Sequence, residues 1–387
     1  MGDQKDATGE IQEKLDKAGD SGVGRVTVGP GRYRIEGGLR VPSGVTLSGS
    51  WESPHHATGL LGTVFEAYGG RGDIDGAALV ELEPSSAVKG FTILYPEQTI
   101  PGTVPYPPTF RGRGMHATIS EITMVNPYFG IDLRAQHELH HIRNVFGCPL
   151  SRGVVIDSCT DIGRVENVHF NPHYWDRSGA ENTPDWRELL RYIWENCEAF
   201  TISRSDWEYH LNTFSFGCRV GYRFTRSEYG ACNGNFLGIA ADWAWRALLV
   251  EHTQVPGLLV TNGEWVGGEG SDAMVETGPD FDGVLQLSNN SFWGPGERNL
   301  LAGGRGVVSM SQCNFCNWDH GGKGLPSIEV TGGSVVVQGS RFGEEKLHVL
   351  LGDGAKSAVI NGNLFKGGPR IENQAGCEVK EGLSAAF

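Results

Sequence analysis

The apolar positions of this chain recur in short phrases rather than in helical stripes. Polar residues, then an aromatic, then a turn make up Leu287-Ser-Asn-Asn-Ser-Phe-Trp-Gly294. The phrase returns as Cys232-Asn-Gly-Asn-Phe236, Thr261-Asn-Gly-Glu-Trp265, Ser311-Gln-Cys-Asn-Phe315, Gln338-Gly-Ser-Arg-Phe342 and Asn361-Gly-Asn-Leu-Phe365. With the aromatics as markers, the steps are 29, 27, 23, 27 and 23 residues. Upstream, Phe170, Phe146, Val125 and Leu94 continue the frame with steps of 24, 21 and 31. Runs such as Gly257-Leu-Leu-Val260, Val307-Val-Ser-Met-Ser311 and Ser334-Val-Val-Val-Gln338 read as short strands bounded by turn residues. Strands this short are stable only when each coil of chain stacks on the last and pairs its backbone there. The pattern predicts an all-β parallel β-helix. A leucine-rich horseshoe fails because Leu is not the repeating residue, and a propeller needs units of about 40 residues.

Other elements fall around this frame. Ile11, Leu15 and Ala18 share one helical face, so a short amphipathic helix at about 6–20 should cap the first coil. Leu94-Tyr-Pro96, Val125-Asn-Pro127, Phe146-Gly-Cys-Pro149 and Phe170-Asn-Pro172 each end a strand on proline, which has no N–H for the ladder. Two segments break the rise, at about 96–114 and 171–193. The first reads as a rigid projecting loop. The second is rich in Tyr and Trp and ends in a short helix opening near Pro184. Between Phe170 and Phe236 the register is open, with Phe200, Phe214 or Phe216 as markers. The whole chain, 1–387, is expected to be a single elongated domain.

The opening Arg25-Val-Thr-Val-Gly-Pro-Gly-Arg-Tyr-Arg-Ile35 and Leu39-Arg-Val-Pro-Ser-Gly-Val-Thr-Leu-Ser-Gly49, after a capping helix, resembles the start of pectate-lyase-superfamily proteins, including the glycoside hydrolase family 28-related group. Gly59-Leu-Leu-Gly-Thr-Val64, Asn126-Pro127, Asn171-Pro-His-Tyr-Trp175 and Arg204-Ser-Asp-Trp-Glu208 extend the resemblance over nearly the whole chain. It implies a right-handed parallel β-helix. For activity it implies only a class, since that superfamily hosts hydrolases, lyases, epimerases and tailspikes. The polygalacturonase signature, Asn-Thr-Asp followed by an Asp-Asp pair, is missing, as is a lyase motif that matches residue by residue.

A net charge of −14 argues against a nucleic-acid or anionic-membrane partner and disfavours a polyuronate unless a local basic groove overrides it. Ten Trp and ten Tyr exceed what such a core needs, and sugar-stacking platforms would use the surplus. The eight cysteines show no second close pair beside Cys313 and Cys316, and read as buried small hydrophobes rather than disulfides. The first residues read as acidic and polar rather than as a signal peptide, and no apolar run reaches membrane-spanning length.

Candidate chemistry concentrates after residue 194. Alternation would put Arg204, Asp206 and Glu208 on one strand face, with the two acids about 7 Å apart, in the inverting range for a glycosidase pair. Asp242 and Glu264 follow in later coils, where stacking brings side chains to about 4.8 Å and can push paired carboxyl pKa values apart. Asp206, Asp242 and Glu264 are therefore the expected catalytic trio. Trp175, Trp186, Trp207, Glu208, His173, His210, Trp243 and Arg246 are the expected substrate contacts. Asp157, Glu251 and Glu276 end strands; calcium is compatible with stacked acids, yet no dense acidic loop appears. His140, His141 and His169 complete the histidine candidates, and linear spacing reveals no three convergent zinc ligands. No metal or other cofactor is expected.

These residues point to an extracytoplasmic carbohydrate-active enzyme, a glycoside hydrolase acting on a polysaccharide or oligosaccharide. A polysaccharide lyase would instead require an arginine-lined groove, from Arg152, Arg177, Arg223 or Arg246. A non-catalytic glycan-binding or structural β-helix, compatible with a homotrimer, would lack clustered, pKa-shifted carboxylates.

Overall fold

A computed structural model describes residues 5–22, 24–51 and 60–387; Gly59 of the Gly59–Val64 stretch lies outside them. The chain divides into two compact units, Met1–Thr201 and Ile202–Phe387. Both are right-handed parallel β-helices, in which each coil contributes strands to as many as three parallel faces.

In the first unit, helix α1 (Thr8–Ser21) buries Ile11, Leu15 and Ala18, as the spacing predicts, and ends on Gly22 in the left-handed conformation (φ 72°). Gln12 caps the edge of strand Leu39–Val41: its Nε2 donates to the Arg40 carbonyl (3.1 Å), and the Arg40 N–H donates to its Oε1 (2.8 Å). The helix thus answers polar groups that an end coil would leave unpaired. The first face includes Ala87–Leu94, Thr118–Met124, His141–Gly147 and Arg164–Phe170, in parallel register. The third includes Pro108–Gly112, Phe129–Leu133 and Arg152–Ile156.

The register corrects the upstream frame. Leu94 and Val125 follow Ile93 and Met124, whose row continues through Gly147 to Phe170. Phe170 is therefore one position out, and Phe146, paired with Thr123 and His169, points away from the core. Residues 108–112, expected within a projecting loop, form a third-face strand, and Tyr106 and Phe110 are buried. The 171–193 insertion holds α2 (His173–Asp176) and α3 (Trp186–Asn196), the latter N-capped by Asp185. The second insertion reaches back to the first: Asn182 Nδ2 donates to the carbonyls of Tyr95 and Gln98, each at 2.9 Å.

In the second unit, the recurring phrase is the corner between the first and second faces. Asn212, Gly238, Asn262, Asn289, Gln312, Gly339, Gly362 and Leu383 all hold positive φ there. Asn and Gly tolerate that conformation best, which explains the phrase's composition. Three residues after each, an inward side chain opens the second face: Ser215, Ala241, Trp265, Phe292, Phe315, Phe342 and Phe365, with the exposed Ala386 continuing the register. Phe236 is not of this series. It pairs with Val260 on the first face, and Ala241 occupies the place expected for it. Phe292, Phe315, Phe342 and Phe365 form a continuous interior stack with centroids 4.9, 4.6 and 4.8 Å apart. Asn290, buried at one corner, accepts from Trp265 Nε1 (2.9 Å) and donates to the Ser288 carbonyl (2.9 Å). Most of the cysteines are buried, as expected of small apolar side chains.

Truncating the middle of the aromatic stack should leave a cavity that neighbours cannot close. Phe315→Ala is expected to cost about 3–5 kcal/mol of stability, read as a lowered urea midpoint with an unchanged slope.

Candidate functional site

Strand Ser205–Leu211 does not alternate. Its register against Cys232–Leu237 shifts between Ser205 and Glu208, because Trp207 sits in a bulge with φ 59°. A bulge inserts one residue and reverses the side chains beyond it. Asp206 therefore stays outside while Glu208 turns into the core, fully buried, where its Oε2 accepts from Ser205 Oγ at 2.5 Å. His210 is buried beside it, its Nε2 3.4 Å from Glu208 Oε1. The expected Asp206–Glu208 surface pair is not formed.

Asp206 instead receives Arg204 through Nε (2.8 Å) and Nη2 (2.6 Å), and Gln254 Nε2. Burial raises its pKa, but the bonds from Arg204 and Gln254 outweigh it and hold the carboxyl below its ordinary value. Beside it Trp207, 59% exposed, lines a cleft with Tyr209, Asn233, Asn235, Pro256 and Leu259.

The second face carries a different arrangement. Strand Ala240–Ala244 pairs Asp242 with Phe216 of the preceding coil, and Ala240 with Glu264 of the next. A second register shift falls between Ala241 and Ala244, where Trp243 takes φ 53°. Glu264 Oε1 accepts from Trp293 Nε1 at 2.8 Å. Burial, reinforced by the Glu264 charge, raises the Asp242 pKa against a bond from the Trp243 backbone. Here two carboxyl groups interact, one with raised proton affinity, among Phe216, Trp243 and the 42%-exposed Trp293. From the sequence, Phe216 is only a candidate marker and Trp293 only part of the recurring phrase at 287–294; the fold brings them to Asp242 and Glu264.

Other expected contacts are occupied elsewhere. Arg246 is buried, paired with Asp272 and Glu276, its guanidinium 5.7 Å from the Trp245 ring centroid. In the first unit, Trp175 is fully buried and has no surface to offer a sugar. His173 stacks on Trp186 (4.2 Å, 16°) and lies 3.3 Å from Asp176. Its pKa is lowered by burial and, more weakly, by Arg177, against the pull of Asp176. Tyr174 covers Phe146 and His169, and Trp51 stacks on Phe146. Asp242 and Glu264 are thus the members of the expected trio that the fold brings together, while Asp206 lies on another face.

No protein-family model and no curated protein matches this chain. Solved structures do. The A-module of the mannuronan C-5 epimerase AlgE6 of Azotobacter vinelandii superposes with a TM-score of 0.59 at 14% identity, over 99% of this chain and 96% of that one. Gene product 12 of bacteriophage phi29 gives 0.54 at 14% identity, over 97% of this chain and 54% of that one. The tailspike of E. coli bacteriophage HK620, in complex with a pentasaccharide, gives 0.51 at 10%, over 99% and 75%. The likeness establishes the fold. At these identities it carries no residue's role across.

The two aspartates should respond oppositely to pH. Asp242, raised in the folded state, weakens the fold as pH climbs above its unfolded value of about 3.8. Asp242→Asn should therefore raise the melting temperature at pH 7, with the gain vanishing below pH of about 4. Asp206, lowered in the folded state, stabilises above its unfolded value and loses this as pH falls through its folded one. Asp206→Asn should lower the melting temperature at pH 7, and the two proteins should converge in acid.

Proposed function

We propose that this protein hydrolyses glycosidic bonds in a polysaccharide or oligosaccharide, with Asp242 as proton donor and Glu264 as its carboxylate partner. The observation that carries this reading is the coupled pair itself: burial and Glu264 favour a proton on Asp242, on a face lined by aromatic rings. Glycoside hydrolysis needs that division, one carboxyl protonated at the leaving oxygen and one ionised toward water or the anomeric carbon. The raised affinity suits Asp242 to the first task, and Trp293 orients Glu264 for the second. Trp207 and Trp243 offer rings to sugar faces; both hold left-handed backbone that a bulky residue rarely adopts. Strain of this kind gathers at ligand sites.

Asp206, held ionised by Arg204 and Gln254 beside Trp207 of the cleft, is read as a positioning group rather than as the proton donor. A lyase is less well served. Of the four arginines that could neutralise a uronate, Arg246 is committed to Asp272 and Glu276, Arg223 to Glu251 and Arg177 to Asp176, and Arg152 lies over the Phe129 ring. The protein names of the similar structures, a mannuronan epimerase and a tailspike bound to a pentasaccharide, fit a glycan partner. A polymeric glycan is met outside the cytoplasm, where we place the protein.

The test is a panel of plant, algal and bacterial glycans, following reducing ends and the absorbance of unsaturated products. Reducing ends without unsaturation are expected, with kcat reduced roughly 100- to 10,000-fold in Asp242→Asn and Glu264→Gln also impaired. Unsaturated product would transfer the reading to a lyase. Binding without turnover would leave a glycan-binding module. A further variant separates structure from recognition. Trp207→Asn, which suits left-handed backbone, should keep the melting temperature while weakening oligosaccharide affinity up to about tenfold.

A further inference from the structure

The first unit contains a side-chain cluster that the glycan reading leaves unused. It lies where the chain turns from the third face back to the first. His137 and His140 come from the turn between Phe129–Leu133 and His141–Gly147. Cys159 comes from the equivalent turn one coil later, between Arg152–Ile156 and Arg164–Phe170. One donor atom from each of the three lies within 4.8 Å of the others, and all three residues are buried.

The two turns are laced together. The His137 N–H donates to the Ser158 carbonyl (3.2 Å), Thr160 N–H to the His137 carbonyl (3.0 Å), and Leu139 N–H to the Asp161 carbonyl (2.9 Å). Thr160 Oγ1 adds a bond to Glu138 (2.9 Å). Leu139, Ser158 and Ile162 hold φ of 55°, 57° and 40°. A β-branched residue such as Ile162 seldom takes that conformation, so the turns that converge the donors also carry local strain.

The histidines are oriented as ligands. His137 Nδ1 lies 2.7 Å from the Ala135 carbonyl, which places its proton there and leaves the Nε2 lone pair facing His140 Nδ1 at 2.9 Å. A backbone carbonyl on the far nitrogen is the usual device that fixes a ligating imidazole. Two imidazole nitrogens and one sulfur form a borderline-soft set that suits zinc, whereas calcium takes oxygen donors.

We propose that His137, His140 and Cys159 form a zinc site that staples two successive coils of the first unit. The ion takes the place of the hydrogen between His137 Nε2 and His140 Nδ1. His140 then carries its proton on Nε2, and the Cys159 thiol gives its proton to solvent, so each ion bound releases one proton. Three protein donors leave the fourth position to water.

The experiment is a titration of the metal-stripped full-length chain with cobalt(II), followed by zinc. One equivalent should produce the strong visible bands of tetrahedral cobalt and a near-ultraviolet thiolate-to-cobalt band, both erased by zinc. Zinc should also raise the melting temperature. Cys159→Ser should lose the thiolate band. Absence of both bands in the wild-type chain at excess cobalt would overturn the site, as would a thiolate band retained in Cys159→Ser. Should that variant fail to fold, X-ray absorption of the zinc-loaded wild type decides. A shell with two nitrogen and one sulfur donors supports the assignment, and a shell without sulfur or dominated by it overturns it. Neither outcome depends on glycan hydrolysis.

Discussion

Everything in this molecule rests on parallel backbone pairing between one coil and the next. Within the second unit, each coil must place a left-handed residue at the same corner and an inward side chain three positions later. When both are met, like stacks on like: Asn289 donates to Asn262 at 2.7 Å outside, and phenylalanine rings pile up inside. A buried Phe contributes about 1.5–3 kcal/mol by leaving water, but only a held register lets successive coils collect it. The same rule explains the exceptions. The register shifts at Ser205/Glu208 and Ala241/Ala244 each put a tryptophan on left-handed backbone. The first unit meets a comparable need with Asn144 and Asn167, whose amides hydrogen-bond along the column to Glu121.

The repeat was legible because corner and aromatic lie three residues apart, inside one reading window. So was α1, whose buried stripe is local. What failed was the assignment of Phe236. It and the later phenylalanines all face inward and follow similar polar residues, and only strand pairing separates a first-face row from a second-face one. Glu208 was misplaced for a related reason. Alternation assumes an unbroken strand, and nothing in the types Asp206-Trp207-Glu208 announces a bulge. Trp175 was read as exposed because an aromatic insertion resembles a cleft wall; here its ring is fully buried.

The candidate site was partly legible. Asp242 and Glu264 are 22 residues apart, close to one coil, so the repeat length already hinted at their approach. Their unlike surroundings were not visible. Asp206 and Asp242 are the same residue type on different faces of successive coils, yet one meets a guanidinium and an amide while the other meets burial and a second acid. Hydrogen-bond partners such as Gln254 reach in from a distant turn. The His137, His140 and Cys159 donors show the same limit, since they converge only after two turns are laid over one another.

The corner of the second unit also governs how such a chain can change length. From the inward first-face residue to the inward second-face residue the interval is the same in successive coils, as from Val260 to Trp265, Leu287 to Phe292 and Met310 to Phe315. The variation in coil length is confined to the other two corners, where loops such as Cys316–Ser327 lengthen the path between faces. Insertions of arbitrary size can therefore accumulate at two edges of this unit and be read as new loops. At the third edge, growth is quantised: a coil is gained or lost whole, or the stack below it loses its match.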